Sequence, residues 1–186
     1  MGPAAFIGAW VAGGIVADPP YSSIDDAISR LAAVGADTRW LMTAGFVTFG
    51  VCLPAFGWAL RSTVPGPAWI AATATGLATL AVAATPLDRS EPVDLLHGLS
   101  ATAGYITLAA TPLLATSPLV AMGHRRLAQA GIAASATAAL ALALSVTSLP
   151  TGLFQRIGLT AGDAWIIAAA LAMWRGMEAR PSPGAT

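Results

Sequence analysis

The chain contains no lysine, one cysteine and two histidines, and only 10% of its residues are charged. The lone Cys52 excludes an intrachain disulfide, a CxxC redox pair and a thiolate metal cage. A formal net charge of zero leaves no basic surface for nucleic acid. His97 and His124 are too far apart in sequence to share a haem or a zinc ion, since a helix joining them measures about 40 Å. A membrane zinc hydrolase needs three protein ligands, typically with two or three His. No metal site and no cofactor are expected.

What is present is apolar. Hydrophobic residues make up 56% of the chain and its mean hydropathy is +0.71. Soluble domains carry about a quarter charged residues, so the composition specifies an integral membrane protein. With 186 residues there is room for one helical bundle. The expected architecture is all-α: a six-transmembrane helix bundle over residues 1–178, followed by a disordered cytoplasmic tail over 179–186.

Apolar runs place the spans at Gly2 to Ala17, Trp40 to Leu60, Ala68 to about Ala84, Leu95 to Thr116, Leu127 to Leu149 and about Ala161 to Trp174. Asp37, Asp94 and Asp163 each precede an even-numbered span and read as helix-start acids. Pro54 and Pro112 read as packed prolines within spans. With these boundaries no Asp, Glu, Arg or His in the later five spans falls near mid-depth. Ion-coupled transporters place such groups there, so transport is disfavoured.

Arginines set the expected orientation. Arg61, Arg125, Arg126, Arg175 and Arg180 gather on one side, against Arg30, Arg39, Arg89 and Arg156 on the other. By the positive-inside rule both termini are cytoplasmic. The acidic loops then face outward.

The longest polar interruption is Asp18 to Trp40. Within it Ile24, Ile28, Leu31 and Val34 recur at helical spacing after Ser23, with Asp26 three residues on as a capping-box acid. Gly35 supplies a stop. The pattern predicts a short amphipathic helix from Ser23 to Val34 lying on the outer membrane surface.

Three short motifs carry a resemblance. YSSIDDAISRLAAVGADTRW precedes the second span, Pro86-Leu-Asp with His97-Gly98 opens the fourth, and Gly152-Leu-Phe-Gln-Arg156-Ile-Gly forms the last outer segment. In order and spacing they resemble the six-helix bacterial membrane family of domain of unknown function 998, over nearly the whole chain. The resemblance implies a polytopic protein of the bacterial cytoplasmic (inner) membrane and no particular activity.

Candidate functional residues lie on the outer face. Asp94 and His97 share one face of a helix start, an arrangement that can serve acid–base chemistry but reads first as a capped helix with a histidine facing interfacial water or a loop carbonyl. His97, Asp94, Arg156, Asp88 and Arg89 form the expected ligand-binding set, with His97 and Asp94 the candidates for catalysis. His97 is preferred over His124, whose place beside Arg125 and Arg126 follows from orientation alone. Arg156 is expected to meet carboxylates from neighbouring loops, because apolar residues flank it. The leading function is binding of a lipid or apolar ligand, or support of a membrane-protein partner or second copy, at the outer leaflet. The alternative is an outer-face enzyme using Asp94, His97 and Arg156, and after it a small-molecule transporter.

Overall fold

The computed structural model describes residues 1–176, so the last two residues of the expected bundle and the expected tail at 179–186, with Arg180, lie outside the described residues. Among the described residues the regular structure is helical: α1 (Gly2–Val16), α2 (Arg39–Thr63), α3 (Ala68–Ala84), α4 (Glu91–Ala121), α5 (Arg125–Ser145) and α6 (Thr151–Trp174). One short 3-10 helix, Ile28–Ala32, lies in the first loop. By length and composition α2, α4, α5 and α6 are able to cross a membrane. α1 and α3, with 15 and 17 residues, are shorter, at about 22 and 26 Å.

Each helix packs on the next in sequence, and α1 also meets α6. From α2 onward short loops dictate that order, because neighbours joined by a few residues pack antiparallel. α6 additionally touches α2 and α4, so four other helices surround it. Phe6 packs its ring against Phe46 and Phe49, with centroids 5.6 and 5.2 Å away. Leu53, Leu60, Leu108, Leu119 and Ile166 extend this core along the bundle.

The outside is apolar too. Ile15, Trp40, Trp58, Leu77, Leu95, Leu99, Ile106 and Leu140 all face outward. Water would penalise so continuous an apolar surface, whereas lipid is its natural solvent. Exposed Trp40 marks one end of the bundle, and exposed Trp58 and Trp174 mark the other. Arg39 lies over Trp40 at 5.3 Å, and Arg61 over Trp69 at 4.9 Å. Aromatic rings with arginines at both ends are the pattern of membrane interfaces.

Pro54 shows how closely two helices meet. Inside α2 it removes the backbone donor that the Gly50 carbonyl would use. Gly76 of α3 lies against that spot, where a Cβ would meet Pro54 Cδ at 2.6 Å and the Gly50 carbonyl oxygen at 2.7 Å. Only glycine permits the approach.

Three expectations change. The amphipathic helix from Ser23 to Val34 is replaced by a turn and the five-residue 3-10 helix. Ser22, not Ser23, organises the turn: its hydroxyl accepts from the Asp25 N–H at 3.2 Å, and Asp26 Oδ2 accepts from the Ser22 N–H at 2.7 Å. Side chains of this kind compete with a helix for the backbone. The carbonyls of Ile24 and Asp25, which a helix would use internally, accept instead from Leu153 and Gly152 at 2.8 and 3.4 Å. Ile28 and Leu31 are buried as the apolar stripe requires, while Ile24 and Val34 face outward.

α6 also begins ten residues earlier than Ala161, at Thr151. Pro150 is its N-cap, with φ −57° and a non-helical ψ of 99°, so the helix begins at the residue after it. α4 begins at Glu91, with Ser90 as N-cap and Pro92 in the first turn. Asp94 therefore lies inside the helix, and Asp163 lies far inside α6. The reading of Asp163 as a helix-start acid is overturned, and the boundary at Ala161 that kept acids away from the middle of the last span goes with it: Asp163 stands twelve residues after Thr151 and eleven before Trp174.

Candidate functional site

Two groups of polar side chains sit at the end of the bundle covered by the first loop. One joins that loop to the start of α6. A helix start leaves its first N–H groups without partners, and here the loop carbonyls of Ile24 and Asp25 supply them. Gln155 Oε1 accepts from the Ile28 N–H at 3.0 Å, and its own carbonyl accepts from the Tyr105 hydroxyl at 3.0 Å. Arg156 Nη1 donates to the carbonyls of Asp26 and Gly152 at 3.2 and 3.0 Å, while Nη2 donates to the Tyr21 hydroxyl. Its guanidinium also lies 5.3 Å over the Trp10 ring.

Arg156 is thus buried, with neutral oxygens and an aromatic face for partners, and its Nε has none. Its recorded partners do not include the carboxylate that the outer-loop acids were expected to bring. The physical reason is geometric: Asp26 turns its side chain back to Ser22 and offers Arg156 only a carbonyl.

The second group surrounds His97. Its Nδ1 is 2.6 Å from the carbonyl of Thr85, the residue that closes α3. With the proton on Nδ1, His97 ties the α3–α4 loop to the first turns of α4. Its Nε2 has no partner and the side chain is buried. Asp94, one turn earlier, carries an Oδ1 that also lacks a partner.

Asp88 goes elsewhere. It adopts a left-handed backbone, φ 62°, and both of its oxygens lie 2.8 Å from Arg30 Nη1. This pair is half-exposed. Arg89 is exposed. A second tie between the loops runs from the Val34 N–H to the Leu87 carbonyl at 2.9 Å. The first loop therefore lies across the bundle end, fastened to α6 by Arg156 and Gln155 and to the α3–α4 loop by Arg30 and Val34. Of the five expected site residues, His97 and Asp94 are neighbours; Arg156 belongs to the α6 clasp, Asp88 to Arg30, and Arg89 to the surface.

Beneath the 3-10 helix lies a cavity of about 60 Å³ whose walls include Ile28, Phe49, Thr75, Ser100, Tyr105 and Gln155. On the outside of the bundle a groove of about 490 Å³ runs between α4 and α5, past Tyr105, Ile106, Leu113, Ile132, Ser135 and Ala139. The groove is almost wholly apolar. Tyr105 borders both spaces.

Sequence reasoning missed Trp10, Tyr21, Tyr105, Gln155 and Asp163. A usable signal existed for the last. Arg156 and Asp163 are seven apart, two helical turns, so a helical reading of Thr151–Asp163 puts both on one face.

The family comparison rests on the whole bundle. A family model described as "Protein of unknown function (DUF998)" matches residues 1–172. The chain belongs to that family. The match runs from α1 almost to the end of α6, so the clasp, the His97 group and Asp163 all lie within this DUF998 region. No curated protein and no solved structure matches the chain.

Proposed function

We propose that this DUF998 protein is a multi-pass protein of the bacterial inner membrane that holds the apolar chain of a lipid between α4 and α5. The observation that carries this reading is the groove of about 490 Å³, floored by Ala109, Ala136 and Ala139 and walled by Ile106, Leu113 and Ile132. Small residues on the floor give a chain room to lie close to the helix axes, and branched side chains at the walls supply contact. The groove lies on the lipid-facing side of two membrane-length helices, so an acyl chain reaches it without leaving the bilayer.

In this reading all six helices cross or nearly cross the membrane, both termini are cytoplasmic, and the loop-covered end faces outward. The arginine distribution and the tryptophans at both ends support it. The enzyme alternative draws on Asp94 and His97 alone, because Arg156 is already committed to the first loop. The transporter alternative regains an argument, since α6 carries an acid at mid-length.

Native mass spectrometry of protein purified in mild detergent tests the proposal. A lipid should remain bound to the wild type and be lost from Ala136→Trp, whose ring fills the groove. Equal lipid retention by both proteins, or none by the wild type, sinks it.

A further inference from the structure

Asp163 is completely buried, and neither of its carboxylate oxygens has a hydrogen-bond partner. It stands at the middle of α6, the helix enclosed by α1, α2, α4 and α5. Its surroundings along α6 are apolar: Gly162 lies against Leu108, and Trp165 spends its indole N–H on the Leu127 carbonyl at 3.1 Å. A bare carboxylate at such a place carries a desolvation cost that nothing here offsets.

We propose that Asp163 is a proton-binding site at mid-depth in the bundle, a neutral carboxylic acid supplied with its proton from the cavity beneath the 3-10 helix. A countercharge does not explain the acid. Arg156, two turns along the same face, is held by Tyr21 and by the carbonyls of Asp26 and Gly152. α4 brings Tyr105, whose hydroxyl donates to the carbonyl of Gln155, the residue before Arg156, at 3.0 Å. α1 brings no titratable side chain. α2 brings Arg39 and Arg61 at its two ends and Cys52, which lines a pocket with Ile166 and Ile167. α5 brings only Arg125 and Arg126, at its first turn. The 3-10 helix brings Arg30, paired with Asp88.

A metal ion is a poorer occupant than a proton. Cations of the calcium and magnesium type gather about six oxygen ligands. Among the described residues no three His, Cys, Asp or Glu come together. A proton needs one oxygen.

The cavity gives the proton a way in. Ser29, Thr75, Thr79, Ser100 and Gln155 line it together with Tyr105 and Leu108, and Leu108 also lies against Gly162, the residue before Asp163. Its volume of about 60 Å³ has room for water, which needs about 10–15 Å³. Tyr105 is a wall of the cavity, and its hydroxyl reaches α6 at the Gln155 carbonyl, eight residues before Asp163.

Dicyclohexylcarbodiimide, an apolar reagent for protonated carboxyls, tests the site in full-length protein reconstituted into vesicles. The acid adds across one C=N bond, its proton passing to nitrogen, and the adduct rearranges to a stable N-acylurea with no leaving group. Peptide mass spectrometry should find the adduct on Asp163, and Asp163→Asn should lose it. Infrared spectroscopy of the unlabelled wild type at neutral pH should show a carboxylic acid C=O band that Asp163→Asn lacks. Transfer to heavy water should shift that band, several-fold more slowly in Ala101→Leu, which narrows the cavity. A wild type without the acid band, or labelling blocked by sodium or potassium, overturns the proton site. An unchanged exchange rate in Ala101→Leu overturns the route. If Asp163→Asn does not fold, the peptide map of the wild type still decides, because it locates the adduct directly.

Discussion

The N–H of Leu153 donates to the carbonyl of Ile24 at 2.8 Å, so a loop near the start of the chain caps the last helix. That bond, with its neighbours at Gly152, Gln155 and Arg156, turns the first loop into a cover held at fixed points.

Gly152 sits where the loop passes closest. A Cβ there would meet the Ser23 carbonyl oxygen at 2.8 Å and Arg156 Nη1 at 2.7 Å. Gly152→Ala should therefore destabilise the protein by about 1–3 kcal/mol, the usual range for overpacking. Thermal unfolding in detergent measures it, and an unchanged midpoint would show that the loop is not clamped there.

Arg156→Met keeps the apolar stem and removes the guanidinium. The Asp26 carbonyl and the Tyr21 hydroxyl then lose their donor, at about 1–3 kcal/mol for each group left buried and unpaired. Arg156→Lys should recover only part of the loss, because an ammonium does not reproduce the planar fork. A cysteine at Ser22 should react faster with a maleimide in the Met variant than in the Arg156 protein. Equal rates count against the clasp.

Asp88 holds a left-handed backbone and an exposed ion pair at once. Losing the pair alone costs about 0.2–1 kcal/mol. Asp88→Gly relieves the backbone while Asp88→Ala does not, so the alanine variant should be the less stable of the two, by about 1 kcal/mol. The reverse order in thermal melts would show that the φ of 62° is not maintained.

His97 divides the structural from the functional reading. His97→Ala strips the Thr85 carbonyl of its donor and should lower stability by about 1 kcal/mol. His97→Gln retains a donor and should unfold near the wild-type temperature. If the Gln variant is as stable as wild type yet retains less lipid by native mass spectrometry, His97 contributes to binding; unchanged retention leaves it the tie between α3 and α4.

Orientation is open to direct test once Cys52 is replaced by alanine. Single cysteines at Ser90 and Gly123 should label with a membrane-impermeant maleimide from opposite sides of intact cells, Ser90 from outside. Labelling from one side removes the arrangement with both termini cytoplasmic.

The sequence by itself determined the kind of molecule. Hydrophobic content and scarce charge leave no soluble surface, and apolar runs between Pro, Gly and charged breaks locate helices because the backbone must satisfy itself in lipid. α3 was legible to the residue, and α1 and α2 to within three residues. The motif order also led to the family. What sequence left undecided were the polar stretches, where short-range patterns compete. Ser23 to Val34 has the apolar spacing of a helix, yet its carbonyls find better partners at the start of α6, an element that comes more than a hundred residues later. The stretch Thr151–Asp163 looks like a loop because it holds Gly, Gln, Arg, Thr and Asp. It is helical because the loop carbonyls receive its first N–H groups and four other helices enclose the rest. Arg156 and Asp163 acquire their meaning only then: periodicity can align them on a face, but tertiary packing decided that one is clasped by a loop and the other buried without a partner.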